Sequence, residues 1–346
     1  MPSPSPPVIL LTCGDPAGIG PEVAIQAWVA TPWHARARLR LVADPAMIAA
    51  VLAGRRGMPA LPVVVIDADD PRPSTPSTLL VVAPAETAAV PVPPATVSAA
   101  GGRQAAAAVL HAFALVRAGR ACAIVTGPLH KAALHAAGYD VPGHTELLAR
   151  GCGLPDAAAS MMLWLPTAEG SGGLGVVHAT LHQSLRTAIE DLSTERIVAA
   201  GTRLAGLLAA LLARPPRFAV AALNPHGGEG GIFGDEETRL VAPAVALMRG
   251  AGFDVTGPLP ADTLFLRASH GGFDGVVALY HDQGHIPVKL LGMHRAVNIT
   301  LGLPVVRTSV AHGTAFDIVG RGEADPTSMV AAIDAAARLV AAGWAG

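Results

Sequence analysis

Short apolar runs alternate with alanine-rich stretches through most of this 346-residue chain. Val8 to Thr12 and Leu79 to Val82 are typical of buried strands, whereas Ala105 to Leu110 and Ala205 to Leu212 are typical of helices packed closely on a sheet. Strands that alternate with helices predict a mostly parallel sheet system. The length is sufficient for two domains that share a cleft. The sequence therefore predicts an α/β fold.

Charge is scarce, and this limits the ligands that the chain can attract. Only 14% of residues are charged, 51% are hydrophobic, and the net charge is −2. Such a chain has no broad electrostatic surface for nucleic acid, so we expect a small ligand whose anionic group is held by a few placed side chains.

No apolar stretch is both long and uninterrupted enough to span a bilayer, and the first apolar run is not preceded by a basic region. The cysteines have no paired spacing, which suits a reducing compartment, and we expect a soluble, cytoplasmic protein without a membrane partner. We interpret the cysteines as buried small apolar residues, namely Cys13, Cys122 and Cys152.

Three predicted strands are each followed by a histidine, at His182, His226 and His281. Neutral imidazole is the commonest ligand for zinc and its neighbours, and three histidines that leave one coordination position open describe a catalytic metal site. Their spacing is long-range, so the site depends on a fold that brings them together. Of the pair His178 and His182, we expect one to point into a cleft and the other to pack within the sheet.

Two groups of polar residues suit an anion such as phosphate. Lys289, Asn298 and Arg307 follow one another at equal separations of nine residues in a segment that is otherwise poor in charge. Two cations and an amide can hold phosphate, although each could also be a surface residue at a strand end. His144 and Thr145 precede an apolar helical run, where they could bind phosphate or where Thr145 could simply be a helix N-cap.

Two glycine-containing segments have more than one interpretation. The turn CGDPAGIGPEV does not have GxGxxG spacing, so it is either a tight strand-to-helix connection or a ligand-binding loop. The segment SVAHGTAFDIVGRGEADP has small residues where a backbone could lie flat against a planar ring, with His312 and Asp317 as polar groups. An ordinary helix start after a turn is the alternative.

The blocks that carry a family resemblance occur in order along nearly the whole chain: GDPAGIGPE, TGPLHKAALHAAG, GHTE, ATLHQSL, LNPHGGEGG, PADTLF, YHDQG, VNITLGLPVVRTSVAHGTA and GRGEAD. Together they resemble the 4-hydroxythreonine-4-phosphate dehydrogenase family of vitamin B6 biosynthesis. The block HGTAFDIVGRGEADP also resembles the adenine-binding loop of isocitrate and isopropylmalate dehydrogenases, whose fold the family shares. The resemblance implies two α/β/α domains around a cleft, with mostly parallel sheets, assembled as a homodimer.

The resemblance also implies which segments form each domain and which residues bind metal, substrate and cofactor. We expect residues 1–135 and 303–346 to form a cofactor-side domain, and residues 136–302 to form a central domain for metal, substrate and dimerisation. The implied metal ligands are His182, His226 and His281, with the third supplied by the partner subunit. The implied substrate-binding residues are His144, Thr145, Lys289, Asn298 and Arg307. The candidates on the cofactor side are Gly14, Asp15, His312, Gly313, Thr314, Asp317 and Asp325. Lys289 or Asp262 would assist proton transfer, and His178 would be structural.

The implied reaction is the metal-dependent, NAD(P)-linked oxidation of 4-hydroxy-L-threonine 4-phosphate to a 3-oxo acid, which decarboxylates to 3-amino-2-oxopropyl phosphate. The sequence does not choose between NAD and NADP, because no ribose-reading acid or arginine can be identified, nor does it choose the divalent metal among Zn²⁺, Mg²⁺, Mn²⁺ and Co²⁺.

One departure from the family pattern bears on the substrate. After YHDQG the chain reads HIPVK, where the biosynthetic enzymes more usually have LPVLK. Together with VVHATLHQSLR, this segment resembles two groups of relatives. One group acts on D-threonate or D-erythronate 4-phosphate, and the other consists of the dihydrodiol dehydrogenases of terephthalate breakdown. Because GHTE, Asn298 and Arg307 are retained, we rank a phosphorylated substrate above the dihydrodiol, and we expect His285 to decide substrate choice. A non-redox phosphate-binding protein or acyl-phosphate transferase is the alternative from another class, but it has no use for three strand-end histidines.

Overall fold

The first strand, β1 (Val8–Thr12), is buried along its whole length. The computed structural model describes residues 6–85, 90–141, 143–155, 159–167 and 172–344. The chain divides into two compact units, the first made of Met1–Ser160 with Gly302–Gly346 and the second of Met161–Leu301. The C-terminal segment belongs with the N-terminal part of the chain.

The first unit is built on parallel strands. Besides β1, its described strands are β2 (Arg38–Val42), β3 (Val63–Val65), β4 (Leu79–Val82), β5 (Ala123–Thr126) and β12 (Val306–Val310). They lie in the order β3-β4-β2-β1-β5-β12 and are all parallel to their neighbours. The helices are α1 (Gly20–Ala30), α2 (Pro45–Gly54), α3 (Ala99–Arg117), α4 (Lys131–Ala136), α5 (His144–Gly151) and α11 (Thr327–Ala341).

Helices α4 and α5 pack on α3, which keeps them in the first unit. A Cβ on Gly102 of α3 would lie 2.0 Å from the carbonyl oxygen of Ala133, so only glycine permits this approach of α3 to α4. Gly151, at the end of α5, is similarly close to the ring of Phe113. Helices α4 and α5 therefore lie in the first unit, which extends to Ser160.

The second unit contains a mixed sheet. Its strands are β6 (Ser160–Pro166), β7 (Gly173–His178), β8 (Arg217–Ala221), β9 (Asp254–Leu259), β10 (Gly275–Ala278) and β11 (Val297–Leu301). They lie in the order β11-β6-β7-β10-β8-β9; β7, β10, β8 and β9 are parallel, whereas β6 is antiparallel to β7. The helices are α6 (Leu185–Glu190), α7 (Thr194–Leu212), α8 (Ala242–Gly250), α9 (Ala261–Ser269) and α10 (His281–Gly292).

The mostly parallel α/β arrangement predicted from the sequence is confirmed. The expectation that all three cysteines are buried is wrong. Cys13 is buried, whereas Cys122 is exposed and Cys152 is half-buried. Cys122 lies just before β5, and Cys152 lies just after α5. Among the described residues, every helix falls short of the length or apolarity that a bilayer span requires.

Candidate active site

The three strand-end histidines all follow neighbouring parallel strands. His182 lies in the loop after β7, His226 lies in the turn after β8, and His281 is the first residue of α10, after β10. Strand β10 pairs with β7 on one side and with β8 on the other. Because the carboxyl ends of parallel strands lie at the same edge of a sheet, all three histidines are presented at one edge.

Two of these histidines have a strained backbone. His182 and His226 have positive φ angles of 38° and 53°. From His226 to Gly230, five successive residues have φ angles of 53°, 73°, 79°, 44° and 70°. For residues other than glycine this conformation costs on the order of 1–3 kcal/mol and is common at binding and catalytic sites. The surrounding structure must therefore hold the two histidines in place.

Glu237 anchors the turn that carries His226. Its Oε1 accepts hydrogen bonds from the backbone N–H groups of Leu223 and Asn224, at 2.8 and 2.7 Å, and its Oε2 accepts from Asn224 Nδ2 at 3.0 Å. Burial alone would raise the pKa of Glu237, but the N–H groups of Asn224 and Leu223 bring the net pKa below its usual value. Sequence analysis missed this residue, because a carboxylate fourteen positions after Leu223 has no local signature.

His281 has the setting of a metal-binding imidazole. Its Nδ1 lies 2.7 Å from Asp282 Oδ1, which leaves Nε2 as the nitrogen that would coordinate a metal. A carboxylate on the second ring nitrogen is usual for metal-bound histidines, since it sets the tautomer and the ring orientation. The rings of His281 and His182 have centroids 5.7 Å apart, and both residues line a cavity of about 520 Å³.

The donor chemistry of this edge fits a divalent metal, because neutral imidazole is a common ligand of zinc and its neighbours. Within the described residues of one chain, however, no group of three His, Cys, Asp or Glu side chains lies close enough to hold a metal ion.

A buried histidine pair lies directly beside His281. His178, the last residue of β7, has its Nε2 3.1 Å from Nδ1 of His285, and the His285 ring stacks on the His281 ring. Burial, followed by the proximity of His285, holds the pKa of His178 well below its usual value. Burial, followed by the proximity of His281, lowers the pKa of His285 to about 4. Both rings are therefore neutral at pH 7.

A second cluster, in the first unit, is suited to an anion. Arg307 on β12 is buried and donates to the hydroxyl of Thr126, at the end of β5. Burial lowers the pKa of Arg307 to about 10, and Glu146 partly opposes this. His144 begins α5, and burial together with Arg307 holds its pKa well below the usual value. Its Nε2 is buried and has no hydrogen-bond partner among the described residues. A neutral imidazole and a guanidinium thus lie close together.

The other predicted substrate and proton-transfer residues are distributed over both units. Thr145 is the second residue of α5, and Asn298 lies on β11. Lys289 is exposed on α10, about two turns after His281, and Asp262 is exposed in the first turn of α9. Their assignment to substrate or proton transfer stays a prediction.

The predicted cofactor loops meet within the first unit. Gly14 has a φ of 72°, and a Cβ there would lie 2.1 Å from the carbonyl oxygen of Pro128, so the position requires glycine. Asp15 is buried and accepts from the backbone N–H of Ala17, and burial raises its pKa. The backbone N–H of Ile19 donates to the carbonyl oxygen of Thr314 at 3.0 Å. The two glycine-containing segments are therefore adjacent.

The remaining predicted cofactor residues differ in their surroundings. His312 Nδ1 lies 2.9 Å from the carbonyl oxygen of Gly313, and its Nε2 is buried without a partner among the described residues. Asp317 is exposed. Asp325 accepts from the backbone N–H of Thr327, the first residue of α11, so its observed role is at the start of that helix.

Glu22 connects these loops and was not singled out from the sequence. Its Oε1 accepts from Arg55 Nη1 and from the backbone N–H of Gly320, both at 3.0 Å. Glu22 is fully buried and ties the end of the GDPAGIGPE turn to the GRGEAD segment.

Comparison with known proteins identifies relatives along nearly the whole chain. Residues 36–336 match the family model described as pyridoxal phosphate biosynthetic protein PdxA. The D-threonate 4-phosphate dehydrogenase of Bordetella bronchiseptica is 45% identical over 340 residues, which cover 98% of this chain and 93% of that protein. The crystal structure of 4-hydroxythreonine-4-phosphate dehydrogenase from Klebsiella pneumoniae superimposes with a TM-score of 0.81 at 41% identity, covering 96% of this chain and 98% of that one.

A more distant structure supports the predicted fold class. A beta-decarboxylating dehydrogenase from Thermococcus kodakarensis matches with a TM-score of 0.51 at 14% identity, covering 97% of this chain and 83% of that one. At this identity the likeness concerns the fold alone. The expectation of an isocitrate and isopropylmalate dehydrogenase-like α/β fold is confirmed.

Proposed function

The chain belongs to the family of the pyridoxal phosphate biosynthetic protein PdxA, and we propose that it is an NAD(P)-linked dehydrogenase that oxidises 4-hydroxy-L-threonine 4-phosphate. The product is a 3-oxo acid, which loses CO2 to give 3-amino-2-oxopropyl phosphate. The observation that carries the proposal is the presentation of His182, His226 and His281 at one edge of three neighbouring parallel strands. A purely phosphate-binding protein would have no need for two histidines in a strained backbone.

The three imidazoles would hold the metal, with His281 contributed to the site of a second copy of the chain. When bound, the divalent cation supplies Lewis-acid polarisation of the substrate's secondary hydroxyl, and the nicotinamide supplies the hydride acceptor. Asp282 fixes the His281 tautomer through Nδ1, so that Nε2 would be the metal-binding nitrogen. Glu237 holds the turn of His226 in its left-handed conformation.

Arg307 and Lys289 are the proposed cations for the substrate phosphate, with His144, Thr145 and Asn298 as hydrogen-bonding partners. Arg307 is buried and oriented by Thr126, which favours a forked, directional contact with an oxyanion. Lys289 is exposed and flexible, and it acts as a point charge.

Proton transfer is assigned to Lys289 or Asp262. Oxidation releases the hydroxyl proton of the substrate, and decarboxylation of the 3-oxo acid requires a proton to return to carbon. Asp262 lies two residues after Pro260. A Cβ added to Gly227, the residue after His226, would lie 3.9 Å from the Pro260 ring. This proximity favours Asp262 as a group near the proposed metal.

A homodimer with shared active sites is part of the proposal. Helix α10 begins at His281. Its side chains Ile286 and Leu290 are 53% and 82% exposed, and Met293, the residue after the helix, is 45% exposed. These positions recur at helical spacing and form an apolar face that a second copy of this chain would cover. His281 is the first residue of the same helix, so a partner on this face would lie near the start of α10.

A second candidate is D-threonate 4-phosphate dehydrogenase. The Bordetella bronchiseptica relative of that name is 45% identical to this chain. In addition, the HIPVK segment, which contains His285, differs from the LPVLK of the biosynthetic enzymes. Both candidate substrates are phosphorylated four-carbon hydroxy acids, so the same cations would serve either.

The decisive experiment measures NADH and NADPH formation with 4-hydroxy-L-threonine 4-phosphate, D-threonate 4-phosphate and the terephthalate dihydrodiol in parallel. Each substrate is assayed with NAD⁺ and NADP⁺ and with each of Zn²⁺, Mg²⁺, Mn²⁺ and Co²⁺. We expect the highest kcat/KM on 4-hydroxy-L-threonine 4-phosphate. A higher value on D-threonate 4-phosphate would favour the second candidate, and phosphate binding without NAD(P)⁺ reduction would favour the non-redox alternative. The same assays decide the cofactor and the metal; a cytoplasmic location stays a prediction.

A further inference from the structure

The His281 ring is held on two sides by neighbouring side chains. Asp282 contacts Nδ1 in the ring plane, at 2.7 Å. His285, one helical turn later on α10, covers one face of the ring, with ring centroids 3.7 Å apart and ring planes 9° apart. The first contact sets which nitrogen carries the hydrogen, and the second restricts rotation of the ring.

His285 is itself locked by His178. His285 is only 6% exposed, and its Nδ1 lies 3.1 Å from His178 Nε2 and 3.2 Å from the carbonyl oxygen of His281. A carbonyl oxygen can only accept, so Nδ1 of His285 carries the hydrogen and donates towards both atoms. His178 Nε2 is then an acceptor. The carbonyl contact thus assigns the hydrogen of His285 to Nδ1. The hydrogen of His178 then lies on its own Nδ1, which is buried with no partner among the described residues.

Gly284 leaves the space that the rings of His178 and His285 occupy. A Cβ on Gly284 would lie 2.4 Å from His178 Nε2, which no side chain could tolerate without displacing His178. Glycine at position 284 therefore lets the His178 ring reach over the first turn of α10. Strand β7 supplies His178 and helix α10 supplies His285, so the contact joins two elements that are 107 residues apart in sequence.

We propose that His178 and His285 are positioning residues that fix the plane of the His281 ring and thereby the direction of its Nε2. His285 acts by stacking, and His178 acts by accepting the hydrogen that keeps His285 in its stacked orientation. This inference rests on the proposed metal site, because its main consequence concerns metal binding. It also gives His285 a role different from direct contact with substrate.

The test uses the purified full-length protein after removal of metal, titrated with Zn²⁺ by calorimetry. His285→Leu removes both the flat ring and the donor, and we expect it to weaken Zn²⁺ binding by roughly 10–100-fold, as loss of an outer partner of a metal ligand does. His178→Leu should weaken binding by about tenfold. His285→Phe keeps the stack and His178→Asn keeps an acceptor, so each should recover most of the affinity lost in the leucine variant.

Two further measurements separate positioning from general damage. Since the two residues act as a unit, the double variant His178→Leu/His285→Leu should bind Zn²⁺ as His285→Leu alone does. In the metal-free protein, diethyl pyrocarbonate should modify His281 faster in His285→Leu than in the parent, as read by peptide mass spectrometry. His135→Leu, at an exposed histidine of α4, is the matched control and should change neither result. Urea unfolding checks that each variant is folded.

The outcomes are distinguishable. If His281→Ala abolishes Zn²⁺ binding while the leucine variants at positions 178 and 285 bind as the parent does, the positioning role is wrong and the proposed metal site stands. If His281→Ala binds Zn²⁺ as the parent does, the metal assignment itself is wrong, and the positioning role falls with it.

Discussion

Arg307 donates from both Nε and Nη2 to the hydroxyl oxygen of Thr126, at 3.2 and 2.7 Å. The two residues lie on paired parallel strands, β12 and β5, and the guanidinium is buried. A hydroxyl carries no charge, so this contact orients the guanidinium without adding an opposite charge. This contact is the structural basis for assigning the substrate phosphate to Arg307.

Replacing Arg307 by lysine should therefore lower kcat/KM for the phosphorylated substrate by roughly 10–100-fold, mainly through KM, because lysine lacks the fork that the contact orients. Thr126→Val should produce a smaller loss of the same kind, and Thr126→Ser, which keeps the hydroxyl, should be close to the parent. Steady-state kinetics on the best substrate provide the measurement. An unchanged KM in Arg307→Lys would contradict the assignment.

Glu237 should be required both for stability and for the His226 turn. Glu237→Ala leaves the N–H groups of Leu223 and Asn224 without their acceptor, and we expect the free energy of unfolding to fall by about 2–4 kcal/mol. Glu237→Gln keeps one carbonyl acceptor and should lose less. Urea denaturation measures both. Asp235→Ala, which removes only an exposed ion pair with Arg239, is the control and should change stability by less than about 1 kcal/mol.

The pH dependence of stability should reveal His144, whose Nε2 is buried. Its pKa in the folded chain lies well below the value of 6.5 expected in the unfolded chain, because of burial and then Arg307. Below pH 6.5 the unfolded chain binds a proton that the folded chain does not, so stability present above pH 6.5 is lost as the pH falls towards the folded pKa. The loss is about 1.4 kcal/mol for each pH unit in that window.

Replacing His144 by Gln should remove this contribution. The difference in unfolding free energy between the parent and His144→Gln, measured without metal at several pH values from 7.5 to about 5, should therefore change steadily below pH 6.5. A difference that does not vary with pH would show that His144 is not kept neutral by its surroundings.

Shared active sites can be tested by mixing two inactive variants. His226→Ala and His281→Ala should each lack metal-dependent NAD(P)⁺ reduction while remaining folded. If His281 completes the site of the partner, a mixed dimer contains one intact site, and a refolded equimolar mixture should regain about a quarter of the parent activity. No recovery, with mixed dimers demonstrated by native mass spectrometry, would place all three ligands in one chain.

The dimer surface should depend on the apolar face of α10. Leu290 is 82% exposed, and an aspartate there would place a charge in the proposed interface, twice in each dimer by symmetry. We expect Leu290→Asp to be monomeric in sedimentation and to lose metal-dependent activity. Val65→Asp, at an apolar position of the first unit that is 56% exposed, is the control and should sediment as the parent does.

Local sequence patterns determined much of the architecture. The bounds of β1 were predicted to the residue, and a strand was predicted before each of His182, His226 and His281. Apolar runs and alanine-rich stretches report burial and helical periodicity directly, and these properties depend on neighbours along the chain. The motif blocks likewise indicated the family.

The tertiary structure decided what lies next to what. The order β7-β10-β8 places the three histidines at one edge, and no local pattern encodes the order in which parallel strands pair. The same holds for His285, which packs between His178 and His281. Its part in substrate choice stays a prediction. Glu237 and Thr126 became visible only as acceptors for groups that are distant in sequence. Sequence by itself supplied the reactive side chains, and long-range strand pairing decided which of them meet, because such contacts form only when the chain is folded.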